Sequence, residues 1–146
     1  MGFLYKIVII RNATLKDCEA CFELSKIPEL LMAVKEPLPL DYFRDIVQEG
    51  SIFVVAENNG EIVGYSAADI LPGKVAIWWL LSVNPSYQNQ GIGKKLVKKI
   101  EEECARRRIK YIVGLAPKSN SRTLDFHRKN GYVIGQDMVE VSKILY

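Results

Sequence analysis

The chain holds one histidine, three cysteines and no apolar run long enough to cross a bilayer, and each scarcity removes a class of function. Three cysteines cannot all pair with one another, so the disulfide framework of a small secreted domain is not expected. The apolar opening Phe3 to Ile10 is broken by Lys6 and falls far short of the roughly 20 residues of a spanning helix. It carries no small-residue cleavage site, and Gly2 lacks the downstream Ser or Thr of a myristoylation site. Charge of one sign is scarce too. Twenty Lys and Arg against 17 Asp and Glu leave +3, too little to argue nucleic-acid binding, although clustered cations would suit a small anionic ligand. With 49% hydrophobic and 25% charged residues in a 146-residue chain, neither disorder nor a fibre is expected. The expectation is one cytoplasmic domain over residues 1–146, with no membrane, nucleic-acid or metal partner.

What is present reads as mixed α/β. Lys6–Arg11 suits a first strand, and Thr14 with Asp17 opens a helix whose stripe is Leu15, Cys18, Phe22 and Leu24. A short helix from Asp41 to Glu49 closes at Gly50. Ser51–Glu57 and Glu61–Ile70 read as strands joined by the hairpin signal Asn58-Asn59-Gly60. Pro72-Gly73 turns into a strand from Val75 to Val83 that is apolar on both faces. Simple alternation puts Val75, Ile77, Trp79, Leu81 and Val83 on one face and Ala76, Trp78 and Leu80 on the other, as in the middle of a covered sheet. An amphipathic helix from Ile92 to about Arg108, a strand Tyr111–Ala116 and a helix from Asn120 to Asn130, stopped by Gly131, follow. Two strands, near Tyr132–Gly135 and Met138–Leu145, are expected last. The order is antiparallel hairpins followed by a β-α-β crossover.

The stretch from Val83 to Lys95 carries the chemistry. A strand ends, a loop with Gly91 and Gly93 follows, and the next helix opens on Lys94 and Lys95. Backbone N–H groups at such a start form a positive concavity, and glycines let phosphates approach. Two lysines where the macrodipole favours acids cost a few tenths to about 1 kcal/mol each, a penalty a bound polyanion removes. A Walker loop is excluded because Gly93-Lys94 is followed by Lys95, and a dinucleotide fingerprint because position 96 is Leu96.

Gln88-Asn89-Gln90-Gly91-Ile92-Gly93, after a strand ending Val83-Asn84-Pro85, resembles the acyl-CoA motif Gln/Arg-x-x-Gly-x-Gly/Ala of the GNAT superfamily of N-acetyltransferases. Downstream, Asn120, Thr123, Phe126, His127, Lys129, Gly131 and Tyr132 are similar to that family's Asn-x-x-Ala-x-x-Leu/Phe-Tyr-x-Lys-x-Gly-Phe segment. The resemblance implies a mixed, mostly antiparallel central sheet flanked by helices, with strands splayed at the CoA site. It implies acetyl transfer from acetyl-CoA to a primary amine of unknown identity by direct attack in a ternary complex, and allows a homodimer. It assigns the pyrophosphate to N–H groups around Gln88, Asn89, Gln90, Gly91, Ile92, Gly93 and Lys94, and the pantetheine arm to the backbone of Leu81, Ser82 and Val83. A backbone N–H near Leu81 would be the oxyanion donor, and Asn120 would bond the pantetheine or neighbouring backbone.

His127 stands where many relatives carry the tyrosine that protonates the thiolate. Helical spacing puts Asn120, Thr123, Leu124 and His127 on one stripe, with Phe126 and Asn130 at its edge and Arg122, Asp125, Arg128 and Lys129 facing away. Asn120 and His127 are about 10.5 Å apart along the axis, a span that suits a pantetheine arm. An acid, a base or a packing role for His127 are all open at this level. The strand glutamate of relatives is replaced by Trp79 and Leu80. Asp69, expected opposite Ala76, would lie about 17 Å from Leu81, too far for direct proton transfer. Cys18 and Cys21 read as ordinary helix residues, and Arg106-Arg107-Arg108 as a solvated helix end. A non-catalytic acyl-CoA sensor is the alternative, because both the glutamate and the tyrosine are missing.

Overall fold

The computed structural model describes residues 7–30 and 37–139, with 141, 143 and 145. They fall into two compact units, Met1–Gly114 and Leu115–Tyr146. In the first unit, β1 (Val8–Asn12), β2 (Ile52–Asn58), β3 (Glu61–Leu71), β4 (Val75–Val83) and β5 (Tyr111–Gly114) form one sheet in chain order. The first three junctions are antiparallel and β4–β5 is parallel. Asn59 and Gly60 have φ of 50° and 83°, as a two-residue type I′ hairpin turn requires. Helices α1 (Cys18–Ser25) and α2 (Leu40–Gln48) cover one face, packing Cys18, Cys21, Leu24, Phe43 and Ile46 on Phe53, Val55, Tyr65, Ala67 and Leu80. The two α1 thiols are buried and free, and burial raises their pKa, so they act as core residues.

Helix α3 (Ile92–Arg106) makes the crossover into β5 and buries Ile92, Leu96, Val97, Ile100 and Cys104. It approaches β3 closely because Gly64 has no side chain. A Cβ there would stand 2.9 Å from the Ser82 carbonyl oxygen and 3.3 Å from Leu96 Cδ1. Gly64→Ala is therefore predicted to destabilise the fold by about 1–3 kcal/mol through overpacking. Urea unfolding checks this, and an unchanged midpoint would show that both the Ser82 carbonyl and Leu96 give way freely.

Strand β4 does not alternate simply. Ala67 pairs with Leu80 while its neighbour Ala68 pairs with Trp78, so Trp79 is an extra residue in a β-bulge. Ala76 and Trp78 therefore share the face of Ala68, whereas Leu80 and Ser82 share that of Ala67 and Tyr65. This corrects the alternation expected over Val75–Val83, since one inserted residue moves every later side chain to the other face. Trp78 Nε1 donates to Ser66 Oγ at 2.8 Å and to the Leu80 carbonyl at 2.9 Å, while Trp79 is 43% exposed. A three-residue turn, with Gly73 and Lys74 both at positive φ, pairs Asp69 with Ile77 rather than Ala76. Asp69 accepts from Ser51 Oγ at 2.7 Å and still lies about 13 Å along the strand from Leu81.

In the second unit, α4 (Ser121–Lys129) is closed by Gly131 at φ 85°, with Tyr132 N–H donating to the His127 carbonyl and Gly131 N–H to that of Arg128. These two bonds make a Schellman stop. The strands expected near Tyr132–Gly135 and Met138–Leu145 are corrected over the described residues, because 132–139 enter no ladder. Val133, Met138 and Val139 are exposed there. β-branched composition makes a strand only where a partner supplies packing. Residues 140, 142, 144 and 146, like Lys6 and positions 31–36, lie outside the described residues.

Candidate active site

Past the bulge, β4 has no paired strand on its β5 side among the described residues. Strand β5 pairs only with Val75–Trp78, so the parallel ladder stops at the bulge and Trp79–Val83 run on past it. Asn84 N–H donates to the Val63 carbonyl at 2.8 Å, flanking the Gly64–Val83 pair. A bond in that position marks Gly64–Val83 as a non-hydrogen-bonded pair. By alternation, Leu81–Ser66 is another and Ser82–Tyr65 is a hydrogen-bonded pair. The N–H and C=O groups of Leu81 and Val83 thus point away from β3, toward the edge that β5 leaves. Ser82 is turned the other way, its backbone toward β3 and its buried side chain toward Tyr65. The Val83 carbonyl accepts from Gln88 Nε2 at 3.0 Å, which leaves the N–H groups of Leu81 and Val83 directed outward. Two residues apart, they stand about 6.6 Å from one another, the spacing with which an added strand pairs.

That edge leads directly into the glycine loop. A single 3₁₀ turn at Pro85–Tyr87 is held by Asn84 Oδ1, which accepts from Ser86 N–H at 3.0 Å. Asn89 and Gly91 take φ of 62° and 79°. Gly91 is the N-cap of α3, and the Lys95 N–H to Gly91 carbonyl bond, 3.1 Å, begins the helix. The N–H groups of Ile92, Gly93 and Lys94 therefore precede the intrahelical ladder and face outward at the positive end of the dipole. Ile92 is buried and anchors the helix start, while Asn89, Gln90, Gly91 and Lys94 are exposed and Gln88 and Gly93 half-buried. A Cβ on Gly91 would meet nothing within 4 Å, so its positive φ rather than crowding calls for glycine, and the space above the N–H groups is open. With no acid in its first turn and Lys94 and Lys95 beside it, this terminus is chemically suited to a diphosphate.

Within the second unit, Asn120 Oδ1 caps α4 by accepting from Thr123 N–H at 3.1 Å. Thr123, Leu124, Phe126, His127 and Asn130 are half-buried, and Arg122, Asp125, Arg128 and Lys129 are exposed, as the spacing predicts; Asn120 itself is exposed. The rings of Phe126 and Tyr132 flank His127 at centroid distances of 5.8 and 5.7 Å. Burial holds its imidazole pKa below the ordinary value, so the ring is neutral at pH 7 and able to accept a proton. Among the described residues no group of three or more His, Cys, Asp or Glu comes together, and no helix is long and apolar enough to cross a membrane.

The bulge at Trp79 and the role of Gly64 escape the sequence-level reading. Gly64, a glycine inside a strand pattern, is itself a signal of close approach, whereas no residue of β4 signals the bulge at Trp79.

The sequence model described as the acetyltransferase (GNAT) family matches residues 17–132. An acetyltransferase of Pectobacterium atrosepticum is 28% identical over 116 residues, covering 80% of this chain and 81% of the relative. An aminoglycoside acetyltransferase from an uncultured soil metagenomic sample, solved with sisomicin, superposes with a TM-score of 0.78 at 20% identity, over 95% of this chain and 97% of that one. The PaiA N-acetyltransferase of Thermoplasma acidophilum, solved with coenzyme A, gives 0.73 at 18% identity over 90% and 93%.

Proposed function

The chain belongs to the GNAT family of acetyltransferases and is an acyl-CoA-dependent N-acetyltransferase acting on amines, and on that premise we propose how its own residues divide the work. The observation that carries the proposal is continuity: the outward N–H groups of Leu81 and Val83 run straight into the exposed helix terminus at Gly91–Lys94. Val83 pairs with the pantetheine arm as an added strand would. The N–H groups from Asn89 to Lys94 hold the diphosphate, and Gln88 keeps the loop on the end of β4. Acetyl-CoA supplies an activated thioester carbonyl. Leu81 N–H donates to its oxygen, where charge develops as the amine attacks. Asn120 orders the start of α4, its capping oxygen being committed to the backbone.

His127 enters neutral, takes the proton of the attacking amine and returns it to the departing thiolate. A thiol has a pKa near 8.5, well above that of a buried imidazolium, so the return runs downhill. Cytoplasmic location, one catalytic domain over 1–146 and assembly as a homodimer accord with this reading. The acceptor is a small amine, a protein N-terminus or a lysine. Single-turnover acetyl transfer across a panel of all three, followed by mass spectrometry, tests it. At least one class should gain 42 Da, the mass of an acetyl group replacing hydrogen; tight CoA binding without transfer to any would overturn the division of roles.

A further inference from the structure

One side chain that reaches the β4–α3 loop comes from another hairpin. Asn58, the last residue of β2, is 5% exposed, and its Nδ2 donates to Tyr87 Oη at 3.2 Å. Its Oδ1 is buried with no hydrogen-bond partner among the described residues. Burying half an amide unsatisfied is unfavourable, and an apolar residue of similar size would avoid the penalty. For stability alone, Asn58 is thus a poor choice. What it uniquely contributes is a donor aimed at Tyr87.

Tyr87 closes the 3₁₀ turn directly before Gln88, and its N–H donates to the Asn84 carbonyl at 2.8 Å. Two side-chain bonds in this loop are local, from Ser86 N–H to Asn84 Oδ1 and from Gln88 Nε2 to the Val83 carbonyl. These two shape the loop against the end of β4. The Asn58–Tyr87 bond spans 29 residues and fastens the loop to the β2–β3 hairpin.

We propose that Asn58 and Tyr87 are positioning residues for the CoA diphosphate, holding the loop so that the N–H groups of Gly91–Lys94 converge before the ligand arrives. The inference rests on the assignment of that loop to the diphosphate. Order supplied in advance by the fold is not subtracted from affinity at binding.

Tyr87→Phe removes one hydroxyl, and Asn58→Leu removes the donor together with the stranded oxygen. With the full chain, CoA affinity by calorimetry, the kinetics of acetyl transfer and urea unfolding are measured in parallel. Each variant should raise the Kd for CoA and the KM for acetyl-CoA about 3–10-fold, the value of one hydrogen bond. The kcat at saturating acetyl-CoA should stay within about twofold, and the double variant should bind no worse than either single one. Asn58→Leu should unfold at the same or higher urea. Unchanged CoA affinity in Tyr87→Phe, a fall in kcat at constant KM, or additive effects in the double variant would overturn the proposal. If Asn58→Leu loses stability and affinity together while Tyr87→Phe loses neither, Asn58 is structural and the proposal also fails. Gly91→Val serves as the separate control. Unchanged CoA binding there would refute the diphosphate assignment itself, whereas lost binding there with normal Tyr87→Phe would refute only the tether.

Discussion

Replacing His127 with phenylalanine is expected to lower turnover by about 10²–10⁴, the range of general acid–base catalysis, while CoA affinity stays nearly intact. The asymmetry follows from the proposed division of roles, in which diphosphate and pantetheine contacts come mainly from backbone N–H groups on β4 and α3. His127→Tyr should recover only part of the loss. A phenol donates to the thiolate as in relatives but, with a pKa near 10, is a poor acceptor of the amine proton at pH 7. Burial lowers the folded pKa of His127, so the acidic limb of kcat/KM should fall below the ordinary histidine value and disappear in the phenylalanine variant.

The same shift affects folding. Between the folded pKa and about 6.5 the unfolded chain binds the extra proton and the folded chain does not, so stability rises with pH. His127 therefore causes stability to decline as pH drops below about 6.5, and the decline stops once the folded pKa is passed. Urea midpoints of His127→Phe should lose this component. A folded phenylalanine variant with wild-type turnover would leave His127 as packing alone.

Gly91→Val is expected to weaken CoA binding by about 5–150-fold, corresponding to 1–3 kcal/mol of backbone strain at one residue. Its φ of 79° lies in the left-handed region, where a β-branched residue is poorly accommodated. Relief of the strain rotates the peptide that begins α3, and the N–H groups of Ile92, Gly93 and Lys94 lose their common direction. Gly91→Asn separates strain from bulk, since asparagine visits this region more readily than other residues with side chains and should retain more of the affinity. Equal loss in both variants would point to obstruction of the open space above Gly91, and no loss in either would remove the loop from the diphosphate site.

Some of this was legible residue by residue. Asn59-Gly60 specifies its own turn, Gly91 and Gly131 mark helix ends through positive φ, and Asn120 caps α4 through a bond three residues long. The apolar stripes of α3 and α4 follow from helical period alone. These features depend on neighbours within one or two turns of chain, so the linear order contains all the partners they need. The glycine loop and its two lysines belong to the same class.

The path of β4 belongs to another. Whether Leu81 lies on the face of α1 or of α3 depends on Ala67 and Ala68 claiming Leu80 and Trp78, and no window of β4 contains that information. Which N–H groups face the open edge follows from a bond between Asn84 and Val63, and where that edge begins follows from β5 ending at Gly114. The residues 132–139 show the converse, with strand-forming composition and no ladder. The lowered pKa of His127 likewise needs the surroundings that bury it. The sequence by itself determined the helices, the hairpins, their caps and the glycine loop, because each rests on local sterics and hydrogen bonds. Only the tertiary structure decided register, side-chain parity and burial, because these are set by partners tens of residues away.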